Sequence, residues 1–354
     1  MRSAASWPFG SILSLAVLFA IFSPAAFSQA PSPATPAAST APAQEQAPPP
    51  PSDAGSQNPS GAQAPISPEP SGNDQGGMFV FKKQVEEVVL HATVYDEQRN
   101  MVPGLDKSAF SVYDEGTLQP ITSFRREDVP VAMGIVVDNS GSMRDKRDKV
   151  NQAVMNLVRA SNPHDEIFVV NFSQKYYLDQ DFTGDANLLQ AALHQVSAKG
   201  STALYDAIVA SAVHLKNNPH LEKKVLLVIT DGQDNMSQET LQEAAHRLQQ
   251  ANGPTLYAVG LLGSGMQSSG REALQHLAAG TGGVAYFPDT LDQVDNITRS
   301  VAHDIRSQYM LAYKPHNQNA KPGYQSVRVE AHAPGFGKLT VRTRSGYFPP
   351  EGGR

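Results

Sequence analysis

The sequence predicts a doubly wound, mostly parallel α/β sheet inserted between the two halves of a small β-sandwich. Three observations predict it. Over residues 129–307, short continuous apolar runs alternate with stretches of helical period, the pattern of parallel strands covered on both faces. Over 78–128 and 308–354 the pattern is β alone. The closing β runs are too short for a domain of their own, so they are expected to pack with the leading ones.

The amino end comes first. Met1 to Ser28 reads as a secretory signal: Arg2 is the positive start, Ile12 to Phe22 the apolar run, and Ala26-Phe27-Ser28 the small-residue cleavage site. That run is short for a hydrocarbon core of roughly 30 Å, which favours cleavage over an uncleaved anchor. The remainder is expected to be exported, to the periplasm or the cell exterior, with no membrane span after signal removal. Residues 29–77 are Pro/Ala/Ser/Gln-rich, with no aromatic residue and one large aliphatic, Ile66. Such a stretch buries too little apolar area to offset its ordering entropy and is expected to be a disordered linker.

In the leading β region, Val88, Leu90, Ala92 and Val94 alternate with Val89, His91, Thr93 and Tyr95. Phe110 to Tyr113 meets the hairpin signal Asp114-Glu115-Gly116, and a strand from Thr117 to Phe124 follows. In the α/β region the strands are expected at Ile135 to Asp138 within the run from Val131, Ile167 to Phe172, Val225 to Ile229, Thr255 to Leu262 and Val284 to Phe287. Helices are expected through Val150 to Val158, Leu188 to Val196, Ala203 to Leu215, Leu241 to Leu248, Glu272 to Ala279, and Val294 to Ile305. Tyr309 to Tyr313, Val327 with Val329, and Leu339 to Thr343 complete the β pattern.

Composition narrows the chemistry. The 354 residues carry a net charge of −6, and no segment concentrates Lys and Arg, which speaks against a nucleic-acid partner. There is no cysteine, so disulfides, thiolate metal sites, a cysteine nucleophile and a lipidated cysteine are excluded.

The most informative stretch is Asp138-Asn139-Ser140-Gly141-Ser142, placed where an apolar strand ends. Gly200-Ser201-Thr202-Ala203-Leu204-Tyr205-Asp206 and Thr230-Asp231-Gly232 follow later in the chain. Asp138, Ser140, Ser142, Thr202 and Asp231 together offer two carboxylates and three hydroxyls, all oxygen donors suited to a hard cation such as Mg²⁺. In an open α/β sheet, ligands bind beyond the carboxyl ends of the strands, where Asp138 and Asp231 both fall. Neutral hydroxyls touch a cation without neutralising it, so it would keep its pull on a partner's carboxylate.

This order of Asp138-x-Ser140-x-Ser142, Thr202 and Asp231 resembles the metal-ion-dependent adhesion site (MIDAS) of von Willebrand factor type A domains. The resemblance implies a Rossmann-like doubly wound fold and Mg²⁺-dependent protein binding, with Mn²⁺ and Ca²⁺ as further candidates. It also implies a protein partner whose acidic residue completes the coordination. Val94-Tyr95-Asp96, Val102-Pro103-Gly104-Leu105, Phe110, Ile121-Thr122-Ser123-Phe124 and Arg344-Ser345-Gly346-Tyr347-Phe348-Pro349 resemble the acidobacterial-type VWFA-related family. That second resemblance bears on architecture and says little about the partner.

Other motifs have plainer readings. Asn139, Gly141 and Met143 either shape the partner surface or permit the turn. Asp206 is expected to cap its own helix and His214 and His220 to be solvated at helix ends, while Asp234 and Asn235 either rim the site or are exposed polar loop residues without a function. Gly263-Ser264-Gly265-Met266 resembles a dinucleotide loop, but Ser268 stands at the third glycine position. Gly337-Lys338-Leu339-Thr340 resembles a phosphate loop, but His332 stands at its first glycine, so a β-hairpin turn is expected. The glycosylation patterns at Asn171 and Asn296 are read as coincidental. No His-Glu-x-x-His pair or nucleophile–base pair is evident, which disfavours an enzyme. The expected function is an exported, non-enzymatic adhesion protein; the alternative is a structural or envelope-assembly module whose metal only stabilises the loops.

Overall fold

The structure, a computed structural model, describes residues 87–126, 128–194, 197–218, 220–261, 268–316 and 323–350. The expected signal, the linker and the Gly263-Ser264-Gly265-Met266 loop lie outside the described residues. The chain opens with β1 (Val88–Tyr95), β2 (Phe110–Asp114), β3 (Thr117–Gln119) and β4 (Ile121–Arg125). The α/β region follows with β5 (Val131–Asp138), α1 (Arg147–Arg159), β6 (Glu166–Phe172), β7 (Tyr176–Thr183), α2 (Ala186–His194), α3 (Leu204–Asn217) and β8 (Lys223–Thr230). It continues through α4 (Leu241–Leu248), β9 (Thr255–Gly260), α5 (Ser268–Thr281), β10 (Ala285–Tyr286) and α6 (Val294–Arg306). The chain closes with β11 (Tyr309–Tyr313), β12 (Gln325–Ala331), β13 (Thr340–Arg342) and β14 (Gly346–Tyr347).

The α/β region forms a six-stranded sheet in the order β10-β9-β8-β5-β6-β7. Every pairing is parallel except that of β6 with β7. β5 is buried along its whole length because both its faces are covered, which is why its sequence is a continuous apolar run. Val131, Met133, Ile135 and Val137 pack with α1, α2 and α6, while Ala132 and Val136 pack with α3, α4 and α5. The sheet is thus wound on both sides. α4 begins at a capping box in which Thr240 and Glu243 satisfy each other's backbone N–H groups.

The remaining strands make two four-stranded sheets, β13-β1-β11-β4 and β14-β12-β2-β3. Each mixes strands from before and after the α/β region: β1 pairs antiparallel with β11 and β13, and β2 with β12. Their inner faces share one core that includes Leu90, Val112, Leu311 and Val329. Across it the Phe110 ring lies 4.9 Å from that of Tyr309.

Three local expectations change. The single strand expected from Thr117 to Phe124 is split at Pro120 into β3 and β4, which lie in different sheets. Proline has no N–H to continue a ladder, so the chain changes sheets there. The Gly337-Lys338-Leu339-Thr340 segment is not a hairpin turn; it carries the chain from β12 in one sheet to β13 in the other. β7 was not expected at all. It is a half-exposed edge strand with shifts in register, so its residues lack clean alternation. No helix among the described residues is long and apolar enough to cross a membrane.

Candidate metal centre

From β5 the chain winds outward to β6 and β7, then returns to place β8 on the other side of β5. Such a switch point, here between the carboxyl ends of β5 and β8, is where ligands bind in open α/β sheets. Asp138 is the last residue of β5, and Asp231 directly follows β8.

Asp138 is fully buried. Its Oδ1 accepts from the Ser140 backbone N–H at 2.7 Å, and its Oδ2 from the Thr230 hydroxyl at 2.6 Å. Burial pushes its carboxyl above the ordinary range, and the hydrogen bonds from Thr230 and Ser140 oppose that shift. The Ser140 and Ser142 hydroxyl oxygens are 3.2 Å apart, and the Ser142 hydroxyl donates to Asp231 Oδ1 at 2.7 Å. The Lys146 ammonium pairs with the other oxygen, Asp231 Oδ2. Thr202 approaches from the third segment. A Cβ at position 232 would lie 3.2 Å from Thr202 Oγ1, so the glycine beside Asp231 leaves that hydroxyl its place.

The surrounding hydrogen bonds hold these loops together. Asn235 Oδ1 accepts from Thr202 N–H at 2.9 Å, and Asn235 N–H donates to the Thr202 carbonyl at 3.0 Å. Gly141 N–H reaches the Gly200 carbonyl at 3.2 Å, and Lys199 N–H the Asn139 carbonyl at 2.8 Å. Beneath the first loop, the buried Arg147 guanidinium donates to the carbonyls of Asp138 and Leu193 and to Asn171 Oδ1. Burial lowers its pKa to about 10.

Several roles differ from those expected. Asp206 does not cap its own helix: its carboxylate accepts from Gln238 N–H at 3.0 Å and Glu239 N–H at 2.8 Å, pinning the loop after β8. The start of α3 is capped instead by Asp234, whose Oδ1 accepts from Leu204 N–H at 2.8 Å. Asp234 and Asn235 are therefore ties between loops, not idle loop residues. His214 stacks on Phe182 with centroids 4.9 Å apart and pairs with Asp181 at 2.8 Å. Asn139 is buried, and neither polar atom of its side chain meets a partner among the described residues. Lys146 and Arg147 went unrecognised in the sequence, and Thr230 figures there only as part of the segment Thr230-Asp231-Gly232, without a role. A lysine four residues past Ser142, where a helix begins, was the available signal for Lys146.

The chemistry of the donor set suits a hard divalent cation: the Ser140 and Ser142 hydroxyls and the Asp231 carboxylate are in mutual contact, and an ammonium rests on that carboxylate. No group of three or more His, Cys, Asp or Glu side chains among the described residues could hold a metal. A site here would thus depend on hydroxyls working beside two acids.

Residues 133–233 match the family model of the von Willebrand factor type A domain. No curated protein matches the chain. Among solved structures, it is similar to proximal thread matrix protein 1 of the mussel byssus with a zinc-occupied MIDAS motif. That likeness has 17% identity over 54% of this chain and 49% of that one, with a TM-score of 0.44. The chain thus spans about half the length of the mussel protein. It is also similar to BatB from Bacteroides thetaiotaomicron, with 18% identity over 50% of this chain and 100% of that one, at a TM-score of 0.40. The vWF domain of the type V pili tip protein Mfa5 from Porphyromonas gingivalis shares 13% identity over 50% of this chain and 97% of that one, at 0.43.

Proposed function

We propose that the von Willebrand factor type A domain in this chain makes it an exported, non-enzymatic binding protein that recognises an acidic protein ligand through Mg²⁺. Asp138, Ser140, Ser142, Thr202 and Asp231 are the residues proposed to hold the metal. The observation that carries this reading is the continuous set of contacts from Ser140 through Ser142 to Asp231, with Asp138 buried beneath it and Thr202 against Gly232. A bound divalent ion would supply an electrophilic centre for a partner's carboxylate. The chain's own part is to present hydroxyls that leave that charge largely uncancelled, and to fix three loops in register through Asn235, Gly200 and Arg147.

The test is capture of a partner from envelope extract with and without EDTA, using the wild-type chain and Asp138→Ala. Mg²⁺-dependent capture that both EDTA and the variant abolish is expected, with the fold retained by circular dichroism. Capture that persists in EDTA would overturn the reading. If chelation lowers thermal stability and leaves association unchanged, the metal serves only to stabilise the loops.

A further inference from the structure

β7 ends the six-stranded sheet, and among the described residues no strand pairs with its outer side. At its start, Tyr176, Tyr177 and Leu178 are 48%, 55% and 47% exposed, three large apolar side chains in succession on an open edge. Their pairing with β6 is regular: Tyr176 opposite Phe172, Tyr177 opposite Asn171, Leu178 opposite Val170. The register shifts only beyond Leu178. The irregularity that commonly blunts an edge therefore lies just beyond the apolar stretch, which itself pairs in regular register.

The faces can be assigned from β6. Phe172 and Val170 point into the core with α3 and α4, so Tyr176 and Leu178 lie on that side. Asn171 reaches Ala192 of α2, so Tyr177 lies on the other side. Lys175 precedes β7, but its carbonyl accepts from Ser173 N–H at 2.9 Å, which continues the pairing of Phe172 with Tyr176 and puts Lys175 on the Tyr177 face. Asp179 stands at the register shift and is placed on that face by its contact with Asn171. Asp179 is half-buried and accepts from Asn171 Nδ2 at 2.8 Å.

Lys175-Tyr176-Tyr177-Leu178-Asp179 is self-complementary in an antiparallel arrangement. With Tyr177 on a two-fold axis, Lys175 stands opposite Asp179 of a second copy, and Tyr176 opposite Leu178. Both charged pairs are of opposite sign, and both apolar pairs lie on the same face, the combinations that stabilise cross-strand neighbours. We infer that β7 pairs with β7 of a second copy of this chain, joining two six-stranded sheets into one. The interface would be isologous, with the same patch used on both sides. A second copy is the occupant because the strand carries its own charge complement; a foreign strand would need that complement supplied from elsewhere. Since the two β7 strands would run in opposite directions, the carboxyl ends of the parallel strands would face opposite ways in the two copies. If those ends hold the proposed metal centre, the dimer would be a two-faced connector. That consequence rests on the metal reading, whereas the pairing does not.

Sedimentation equilibrium on the full chain in EDTA separates the two ideas, because the pairing needs no metal. A concentration-dependent dimer is expected. Lys175→Asp and Asp179→Lys should each weaken it by about tenfold or more, since each sets like charges opposite one another twice. The double variant Lys175→Asp/Asp179→Lys should restore it. Leu178→Lys, on the other face, should also abolish it, with circular dichroism confirming that each variant is folded. A wild-type chain that stays monomeric up to about 100 μM overturns the proposal. So does a dimer insensitive to Leu178→Lys, or one that the double swap fails to recover.

Discussion

Buried carboxylates occur at two ends of the α/β region and are served in different ways. Near the amino ends of the strands, each meets a fixed guanidinium. Asp304 accepts from Thr93 Oγ1 at 3.0 Å and Tyr257 OH at 2.5 Å, and pairs with Arg342 of β13. Asp165 accepts from Val131 N–H at 2.8 Å and pairs with Arg306 at the end of α6. At the carboxyl ends, Asp138 meets a hydroxyl and a backbone N–H, and Asp231 a hydroxyl and one lysine. Lys146 is as exposed as the two arginines, but Arg342 also donates to the Gly282 carbonyl and Tyr95 OH, and Arg306 to the Val129 carbonyl. A buried acid closed by a guanidinium that also binds other elements joins pieces of a fold. On the metal reading, the acids ringed by hydroxyls and a single ammonium would instead take a cation from outside.

The largest expected effect sets the same substitution at both ends. Asp304→Asn leaves the Arg342 charge without its partner where the sandwich meets α6 and should cost roughly 3–5 kcal/mol of folding stability. Asp138→Asn, in metal-free solution, should cost no more than about 1 kcal/mol, because burial already disfavours the charged form. Urea denaturation in EDTA measures both, and equal losses would erase the distinction between the two ends.

Added Mg²⁺ should close the gap between the two variants. At a hundredfold excess over its dissociation constant, a bound ion stabilises the folded chain by about 2.7 kcal/mol. The wild type and Asp304→Asn should both gain that increment, and Asp138→Asn should gain none. Thermal denaturation with and without Mg²⁺ shows it; a gain retained in Asp138→Asn would remove Asp138 from the metal centre.

A third difference concerns pH. Lys223, 5% exposed at the start of β8, donates to the Ile305 carbonyl, and burial lowers its pKa to about 8. The unfolded chain keeps that proton up to the ordinary lysine value of 10.5. Between these values the unfolded state binds more protons, so stability should rise with pH, by up to roughly 2 kcal/mol between about pH 8 and pH 10. Lys223→Met should flatten the rise in denaturation measured across that window. A rise that survives in the variant would assign it to another group.

The two ends were not equally legible in the sequence. The acids of the candidate centre stand at the ends of apolar strands, and the hydroxyls sit at short spacing, so local pattern sufficed to choose them. Asp304, Arg342, Thr93 and Tyr257 are scattered over four elements, and only the pairing of β1 with β13 and the docking of α6 bring them together. Continuous apolar runs marked β5, β6 and β8 because both their faces are covered. β7 escaped for the opposite reason: as a half-exposed edge with a shifted register, it has only the three-residue apolar run Tyr176 to Leu178 and no alternation. The ties made by Asp234 and Asn235 were not legible because their partners, Leu204 and Thr202, lie some thirty positions earlier in the chain.

Lys146 offers the smallest effect and the sharpest one, because its sign should differ between the two states of the centre. Its ammonium rests on Asp231, whose side chain is 1% exposed. Without metal, the pair supplies the counter-charge that a buried carboxylate needs, so Lys146→Met should lower stability in EDTA by about 1 kcal/mol. With metal, the ammonium must leave Asp231 or share it, so its loss should tighten Mg²⁺ binding by about fivefold in titration calorimetry. A lysine that only packs against the loop would weaken both, and one that steadies the bound ion's surroundings would weaken binding alone. Opposite signs in the two measurements would identify Lys146 as the resident cation that an incoming metal displaces, a role that no guanidinium at the other end of the sheet, locked between strands and a helix, could take.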